Sequence, residues 1–305
     1  MPYQKTSLLF LACFIFLFSC KTIAIHDDTS TADLPDNIEL IKIPAGNYSS
    51  GSPTTIATID YDFAMMKYPV TNTQYINYLI TADSMGVISI DSTGVFGFYN
   101  GDKFWAPGIY QFADFTDKFA RNGYYPPDIY FTKWRYVDNR QEYYYDHPVT
   151  HVTWYGAQAF ASFYNMRLPT TAEWEKAARA NSYFIYPWGN TLFTNVSNYK
   201  NSGDPYDNDT TPVWYFSGKN NTKENISPYG LMDMSGNTWE WTDSWWRDSS
   251  GKVIKGGSFN SLVHSTVNDS IYGYELMSWY ETAIGYIPDN FTRDIGFRCV
   301  KDISD

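Results

Sequence analysis

The sequence predicts a loop-rich α+β domain. Three observations carry this. Apolar residues make up 44% and aromatic residues 19% of 305 residues, enough to bury a large core. The aromatic segments are short and separated by Gly, Asn, Asp and Pro, the residues that turn a chain. Helical periodicity is confined to a few stretches, and no fixed-period repeat runs through the sequence.

The charge balance narrows the function. The chain carries 33 acidic and 22 basic residues, a net charge of -11. Such a surface repels phosphate backbones, which argues against nucleic-acid binding. Acidic loops suit hard cations such as calcium.

The N-terminus reads MPYQKTSLLFLACFIFLFSCK. Lys5 supplies a short positive segment. Ser7 to Ser19 is an apolar run of about 13 residues, too short to cross a bilayer comfortably as a helix. LFSC is similar to a bacterial lipobox with Cys20 as the lipidated residue, although Phe18 is bulky there. An ordinary signal peptide with an incidental cysteine is the competing reading. The expected organisation is a lipoprotein signal peptide at 1–19, a polar tether at 20–36 and a domain at 37–305. Lys21 after the lipidated position favours the outer membrane of a bacterial envelope. Only Cys13, Cys20 and Cys299 are present, so with the first two in the leader no internal disulfide is expected.

Ile38 to Ser52 reads as strand, turn and strand. Tyr61 to Ala82 reads as a strand entering a helix, with Thr71 as N-cap and Gln74 completing a capping box. Val70, Tyr75, Tyr78 and Leu79 then share an apolar face. Residues 84 to about 146 are an aromatic insert without helical period, where short strands and ordered loops are expected. Such an insert suits either a ligand-pocket wall or a cover over the core. His147 to Thr153 reads as a strand. Trp154 to Tyr164 reads as a helix with Ala157, Phe160, Ala161 and Tyr164 inward. Thr170 caps a further helix with Glu173 in a second capping box, and Trp174, Ala177 and Ala178 give it a buried side. KVIKGGSF and IGFRCVKD are strand-like.

KYPVTNTQY, HPVTHVTWYGAQAF, RLPTTAEWEKAAR, YPWGN, YGLMDMSGNTWEW, KGGSF and IGFRC together resemble the formylglycine-generating enzyme family, whose domain is also called the sulfatase-modifying factor domain. The segments stand in family order and cover roughly Ile38 to Asp302 apart from the insert. The resemblance implies a variant C-type-lectin-like fold with short β-sheets, two main helices and bound calcium. The lipobox and the insert are also similar to those of gliding- and secretion-associated lipoproteins of this family.

For calcium, the resemblance implies side-chain oxygens from Asp233 and Glu240 and carbonyls from Gly236 and Thr238. The alternative is that DMSGNTWEW is packing, with Glu240 satisfied by backbone N–H groups. A second site is implied with Asn198 and Asp204 as side-chain ligands and Tyr199 and Tyr206 as carbonyls. Asp207 and Asp209 blur its register, and a solvated acidic loop is the alternative.

Family oxidases carry two cysteines after GGS that hold copper and convert a substrate cysteine to formylglycine. Counted from Gly256, those positions here are Ser261 and Thr266, which form no thiolate for Cu(I). Copper and formylglycine generation are therefore not expected, and Ser258, Ser261, Thr266 and Asp294 read as remnants of an active site, a pseudoenzyme. His264 is the one candidate catalytic residue, near Asn268, Asp269 and Asp294; an exposed loop histidine is the alternative. His147 and His151 would stand about 13 Å apart along a strand, too far to chelate one ion.

The segment between GGSF and IGFRC is long and rich in Tyr, Ser and Asn, the residues of adaptable binding surfaces. The expectation is a non-catalytic module that binds a ligand or an envelope protein, held to the membrane by a lipid. The alternative is a metal-dependent oxidoreductase on the same scaffold.

Overall fold

The computed structural model describes residues 32–51, 55–115, 134–137, 140–206, 208–247, 250–265, 271–272, 274–278, 281–282 and 287–303. Residues 1–31 with Cys20, and Asp207, Thr266, Asn268 and Asp269, lie outside these residues, and so does the side chain of His264. Among the described residues, no helix is long and apolar enough to cross a membrane.

Three helices and a set of small sheets make up the described fold: α1 (Asn72–Ser84), α2 (Trp154–Phe163) and α3 (Thr171–Arg179). The third helix is one more than the family resemblance implied. All three begin where the chain's own chemistry starts them. Thr71 accepts from the Gln74 backbone N–H while the Gln74 side chain accepts from the Thr71 N–H. Thr170 and Glu173 repeat that exchange at α3, and Thr153 accepts from the Gly156 N–H at α2. Each cap satisfies donors that the first helical turn leaves unpaired.

The strand Phe63–Met66 is flanked by Leu40–Ile43 and Val300–Asp302, both antiparallel to it. A second sheet runs in the order Glu281–Thr282, Lys252–Lys255, Trp239–Trp245, Ile295–Gly296, with the last pair parallel. Gly46–Ser49 pairs with Ile56–Ile59 rather than with the strand just before it. The insert folds as an antiparallel sheet of Ile88–Ile90, Gly94–Tyr99 and Gly108–Asp114, followed by the hairpin Trp134–Val137 and Arg140–Tyr143. These are the short strands expected of it.

The largest core cluster joins the inner faces of α1 and α2 with Val70, Trp241, Phe297 and Cys299. Tyr75, Tyr78 and Phe160 meet there at ring-centroid distances of 5.4 to 6.0 Å. Each fully buried aromatic contributes roughly 1.5–3 kcal/mol through the apolar surface it removes from water. A second cluster sets Trp174, Ala177 and Ala178 of α3 against Phe63, Met65 and Val300. Cys299 is a free, fully buried thiol, and burial pushes its pKa up.

Two readings change. Residues 147–153 are not a regular strand. His151 has φ of 60°, and the amides of Val149, His151 and Thr153 donate to Val70, Thr292 and Phe112 in turn. One left-handed residue turns the chain so that successive amides meet three different segments. Residues 32–34 of the segment read as a polar tether lie against the domain. Ala32 donates its N–H to Phe163, and Ala32 and Leu34 pack against the core.

Candidate functional site

The turn Asp233 to Asn237 lies between α3 and the strand Trp239–Trp245. Asp233, Gly236 and Asn237 all adopt positive φ, at 55°, 78° and 66°. Asp and Asn tolerate that region better than other side chains, which is why these residue types stand here. A side chain on Gly236 would strike Ser197 and Asn198, so the turn is locked onto the 197–198 segment.

Asp233 is buried, and desolvation pushes its carboxyl up to about 7, partly offset by Asn237 and Arg298. Asn237 donates to its Oδ2 at 3.2 Å, and Asn225 Nδ2 stands 3.5 Å from its Oδ1. Asn225 is fully buried, commits its Nδ2 to the Ser235 carbonyl at 2.7 Å, and has no partner for its own Oδ1. The side of Asn225 turned to Asp233 is its Nδ2, so the carboxylate is met here by the amide donors of Asn237 and Asn225.

Glu240 lies in the core nearby with its own partners. Arg298 Nε donates to Oε2 at 2.8 Å, Arg298 Nη2 to Oε1 at 2.7 Å, and Trp174 Nε1 to Oε2 at 2.6 Å. Both oxygens of this buried carboxylate are taken by side chains, not by the backbone N–H groups of the packing alternative. The reason is fold-level: α3 and the strand Trp239–Trp245 bring Trp174 beside Glu240, and the chain's end brings Arg298. Glu240 thus stands in an ion pair with Arg298, beside the turn that the resemblance assigns to calcium. Sequence reasoning missed Asn225 and Arg298; Arg298 stands inside the quoted IGFRC motif, but Asn225 has no local signal.

In the second implied set, Asp204 folds back on its own loop, accepting from Ser202 Oγ at 2.5 Å and the Tyr206 N–H at 2.8 Å. The Tyr199 carbonyl accepts from the Ser202 N–H at 2.9 Å. Asn198 Nδ2 donates to the Asp209 carbonyl at 2.8 Å, so it faces Asp209. Among the described residues, no group of three or more His, Cys, Asp or Glu side chains is placed to hold a metal ion.

The Gly256–Ser261 loop is held tightly. Ser261 Oγ accepts from the Ser258 N–H at 2.9 Å, and the Ser261 N–H donates to the Ser258 carbonyl at 3.0 Å. Ser258 Oγ donates to Asp294 Oδ2 at 3.0 Å, and Thr292 Oγ1 donates to Asp294 Oδ1 at 2.7 Å. Ser258 and Ser261 are buried at 1% and 2% exposure. The remnant positions Ser258, Ser261 and Asp294 thus do come together, through hydrogen bonds to one another rather than toward a shared open space. A side chain on Gly257 would lie 2.8 Å from the Glu275 carbonyl, and Ser235 Oγ donates to the Leu276 carbonyl at 2.7 Å. The short turn Tyr274–Leu276 is seated on the loop, with Leu276 and Met277 buried against Tyr186, Leu192, Val196 and Tyr199.

His264 begins a two-stranded ladder in which it pairs with Tyr272. His147 Nδ1 lies 2.9 Å from Thr210 Oγ1, and His151 Nδ1 lies 3.1 Å from Thr150 Oγ1, so the two rings have different partners.

Comparison with known proteins agrees with this architecture. The bovine inactive C-alpha-formylglycine-generating enzyme 2 is 32% identical over 157 residues, covering 50% of this chain and 50% of its own length. A formylglycine-generating enzyme of Mycobacterium tuberculosis is 26% identical over 314 residues, covering 87% of this chain and 98% of its own. The chain spans about half the length of the mammalian relatives it matches. The crystal structure of CarF superposes with a TM-score of 0.54 at 20% identity, covering 88% of this chain and 99% of that one. PvdO from Pseudomonas aeruginosa gives 0.54 at 18% identity, over 92% and 100%. These likenesses establish the fold as the C-type-lectin-like variant expected. The sulfatase-modifying factor enzyme 1-like domain matches residues 26–303, and the chain belongs to that family.

Proposed function

We propose that this chain is a non-catalytic binding or scaffold module of the family, displayed on a bacterial cell envelope through a lipid on Cys20. The observation that carries the reading is the Ser261 hydroxyl. Counted from Gly256 it stands where the family oxidases carry their first cysteine; it is buried and accepts the Ser258 N–H as a loop cap. A thiolate ligand for copper has to be deprotonated, soft and directed at the metal. A hydroxyl spent on the backbone is none of these. The turn Tyr274–Leu276 seated over Gly257 supports the same reading. So does the bovine relative named as inactive.

In this reading calcium is structural. Asp233 and Glu240 would supply side-chain oxygens to it, with the carbonyls of Gly236 and Thr238. Binding to an envelope protein or surface ligand then takes the place of chemistry.

The test is to incubate the purified chain with a cysteine-containing substrate peptide, oxygen and added Cu(I), and to look for formylglycine by mass spectrometry. No conversion is expected. Conversion above a no-protein control would overturn the reading. Incorporation of labelled fatty acid that disappears in Cys20→Ala tests the anchor separately.

A further inference from the structure

Helix α1 lies at the surface, yet its sequence NTQYINYLITADS holds one charged residue, Asp83. Its inner side enters the main core through Tyr75, Tyr78, Leu79 and Ala82. Thr73, Asn77 and Ile80 are spaced to share its outer side, and Ile80 is 61% exposed. A surface helix ordinarily covers its solvent side with charge. In a chain of 33 acidic and 22 basic residues, an uncharged outer side has the composition of a protein contact, where charged residues are depleted and Tyr, Trp and Arg enriched.

This side of α1 runs on into a second exposed group. Thr73 Oγ1 donates to the Tyr145 carbonyl at 3.0 Å, and Asn72 Nδ2 donates to the Tyr144 carbonyl at 2.7 Å. The short turn Tyr144–Asp146 is thereby held at the start of α1. Tyr145 is 44% exposed, with its ring stacked 5.2 Å from that of Tyr143. The Val213 N–H donates to the Asp146 carbonyl at 2.9 Å, which brings Trp214, 43% exposed, to the same place. The Trp214 indole N–H donates to Asp146 Oδ2 at 3.3 Å. An exposed carboxylate thus stands among exposed aromatic rings at the edge of an uncharged helix face.

The carboxylate selects the partner. Among the described residues no Lys or Arg pairs with Asp146, and its Oδ1 is left for another donor. Elsewhere the chain's own cations settle on exposed rings: Lys103 lies 4.7 Å from the Phe104 ring, Lys223 4.3 Å from Phe193 and Arg247 4.9 Å from Trp246. Among the described residues none covers Tyr145 or Trp214 in that way. A guanidinium meets both openings at once. Its planar fork gives two N–H groups to a carboxylate, and its face stacks on aromatic rings, whereas an ammonium acts only as a point charge. A second copy of this chain would bring its own net charge of -11, and this face holds no Lys or Arg for the copy's Asp146. A bilayer surface carries phosphates, which repel a carboxylate. We propose that the outer side of α1, with Tyr145, Asp146 and Trp214, is a docking surface for a partner protein that presents an arginine on an otherwise uncharged contact. The surface gives the binding module proposed above its point of contact and rests on that reading. No part of it belongs to the Gly256–Ser261 loop, so the formylglycine assay and the following titration can fail separately.

The test is an NMR titration of the intact chain, labelled at its tryptophan indoles, with a capped peptide of three Ser-Tyr-Arg repeats and with its lysine and glutamine counterparts. The Trp214 signal is identified by its loss in Trp214→Phe. Saturable binding of the arginine peptide that shifts this signal is expected. The lysine peptide should bind at least about threefold more weakly, and the glutamine peptide at least about tenfold. Asp146→Asn should weaken the arginine peptide about tenfold. Asp60→Asn removes another exposed carboxylate and should leave the affinity within about twofold, which separates this surface from the general acidity of the chain. Both aspartates are exposed, so neither variant should shift the thermal midpoint. Absence of binding by the arginine peptide overturns the proposal. So does undiminished affinity in Asp146→Asn, an equal loss in Asp60→Asn, or a lysine peptide as tight as the arginine one. A dimer of the chain, read by sedimentation and dissolved by Ile80→Asp, also overturns it, because a second copy then takes the face.

Discussion

Arg298 holds Glu240 with a two-point ion pair in the core, 2.8 Å from Nε to Oε2 and 2.7 Å from Nη2 to Oε1. The two side chains are 0% and 1% exposed. Arg298 Nη1 and Nη2 also reach the Met66, Lys67 and Met232 carbonyls, so one guanidinium ties the first sheet to the turn before Asp233. Removing one member leaves the other charge buried and uncompensated, which costs about 3–5 kcal/mol. Arg298→Met is expected to lose about that much, read by urea denaturation. A loss under 1 kcal/mol would show that the pair is not what fixes this junction.

Asp233 predicts a pH dependence of known sign. Its carboxyl titrates near 7 in the fold, above the ordinary 3.8. The folded state therefore holds more protons than the unfolded state between these values, and stability falls as pH rises through that window. In chelator, the protein should melt at a lower temperature at pH 8 than at pH 5. Asp233→Asn should flatten that difference.

Calcium should act on the same group with the opposite slope. A cation that binds the ionised carboxylate stabilises the fold by mass action and competes with the proton. Added calcium should raise the melting temperature at pH 8 and have little effect at pH 5. Equal shifts at both values, or an undiminished shift in Asp233→Asn, would place the calcium elsewhere.

Ser261→Ala removes the acceptor of the Ser258 N–H, a buried donor. A loss of about 1–3 kcal/mol is expected. Hydrogen exchange at the Ser258 amide is the direct readout, and should accelerate by one to two orders of magnitude, about the factor that 1–3 kcal/mol implies.

Gly156→Ala places a methyl group on the Phe112 carbonyl. Backbone cannot yield there as a flexible side chain would, so the substitution is expected to cost at least about 1–3 kcal/mol. Near-ultraviolet circular dichroism should report it, because Tyr99, Tyr110, Trp154 and Tyr155 lose their mutual packing. An unchanged spectrum would mean that insert and α2 separate freely.

What the sequence determined by itself is local. Thr71 with Gln74 and Thr170 with Glu173 start their helices because every group in a capping box lies within one turn. The inward faces of α1, α2 and α3 follow from spacing alone. That positions 261 and 266 carry hydroxyls and not thiols is plain from residue identity. The tertiary structure decided who partners whom. Nothing in the motif around Glu240 announces Arg298, which reaches it across 58 positions. His151 reads as strand until its left-handed φ appears. Asn225 and Asp146 gain their meaning only from what does or does not reach their polar atoms. Period and capping are properties of neighbours in sequence. The pairing of buried polar groups is a property of neighbours in space, which here the assembly of several small sheets brings together.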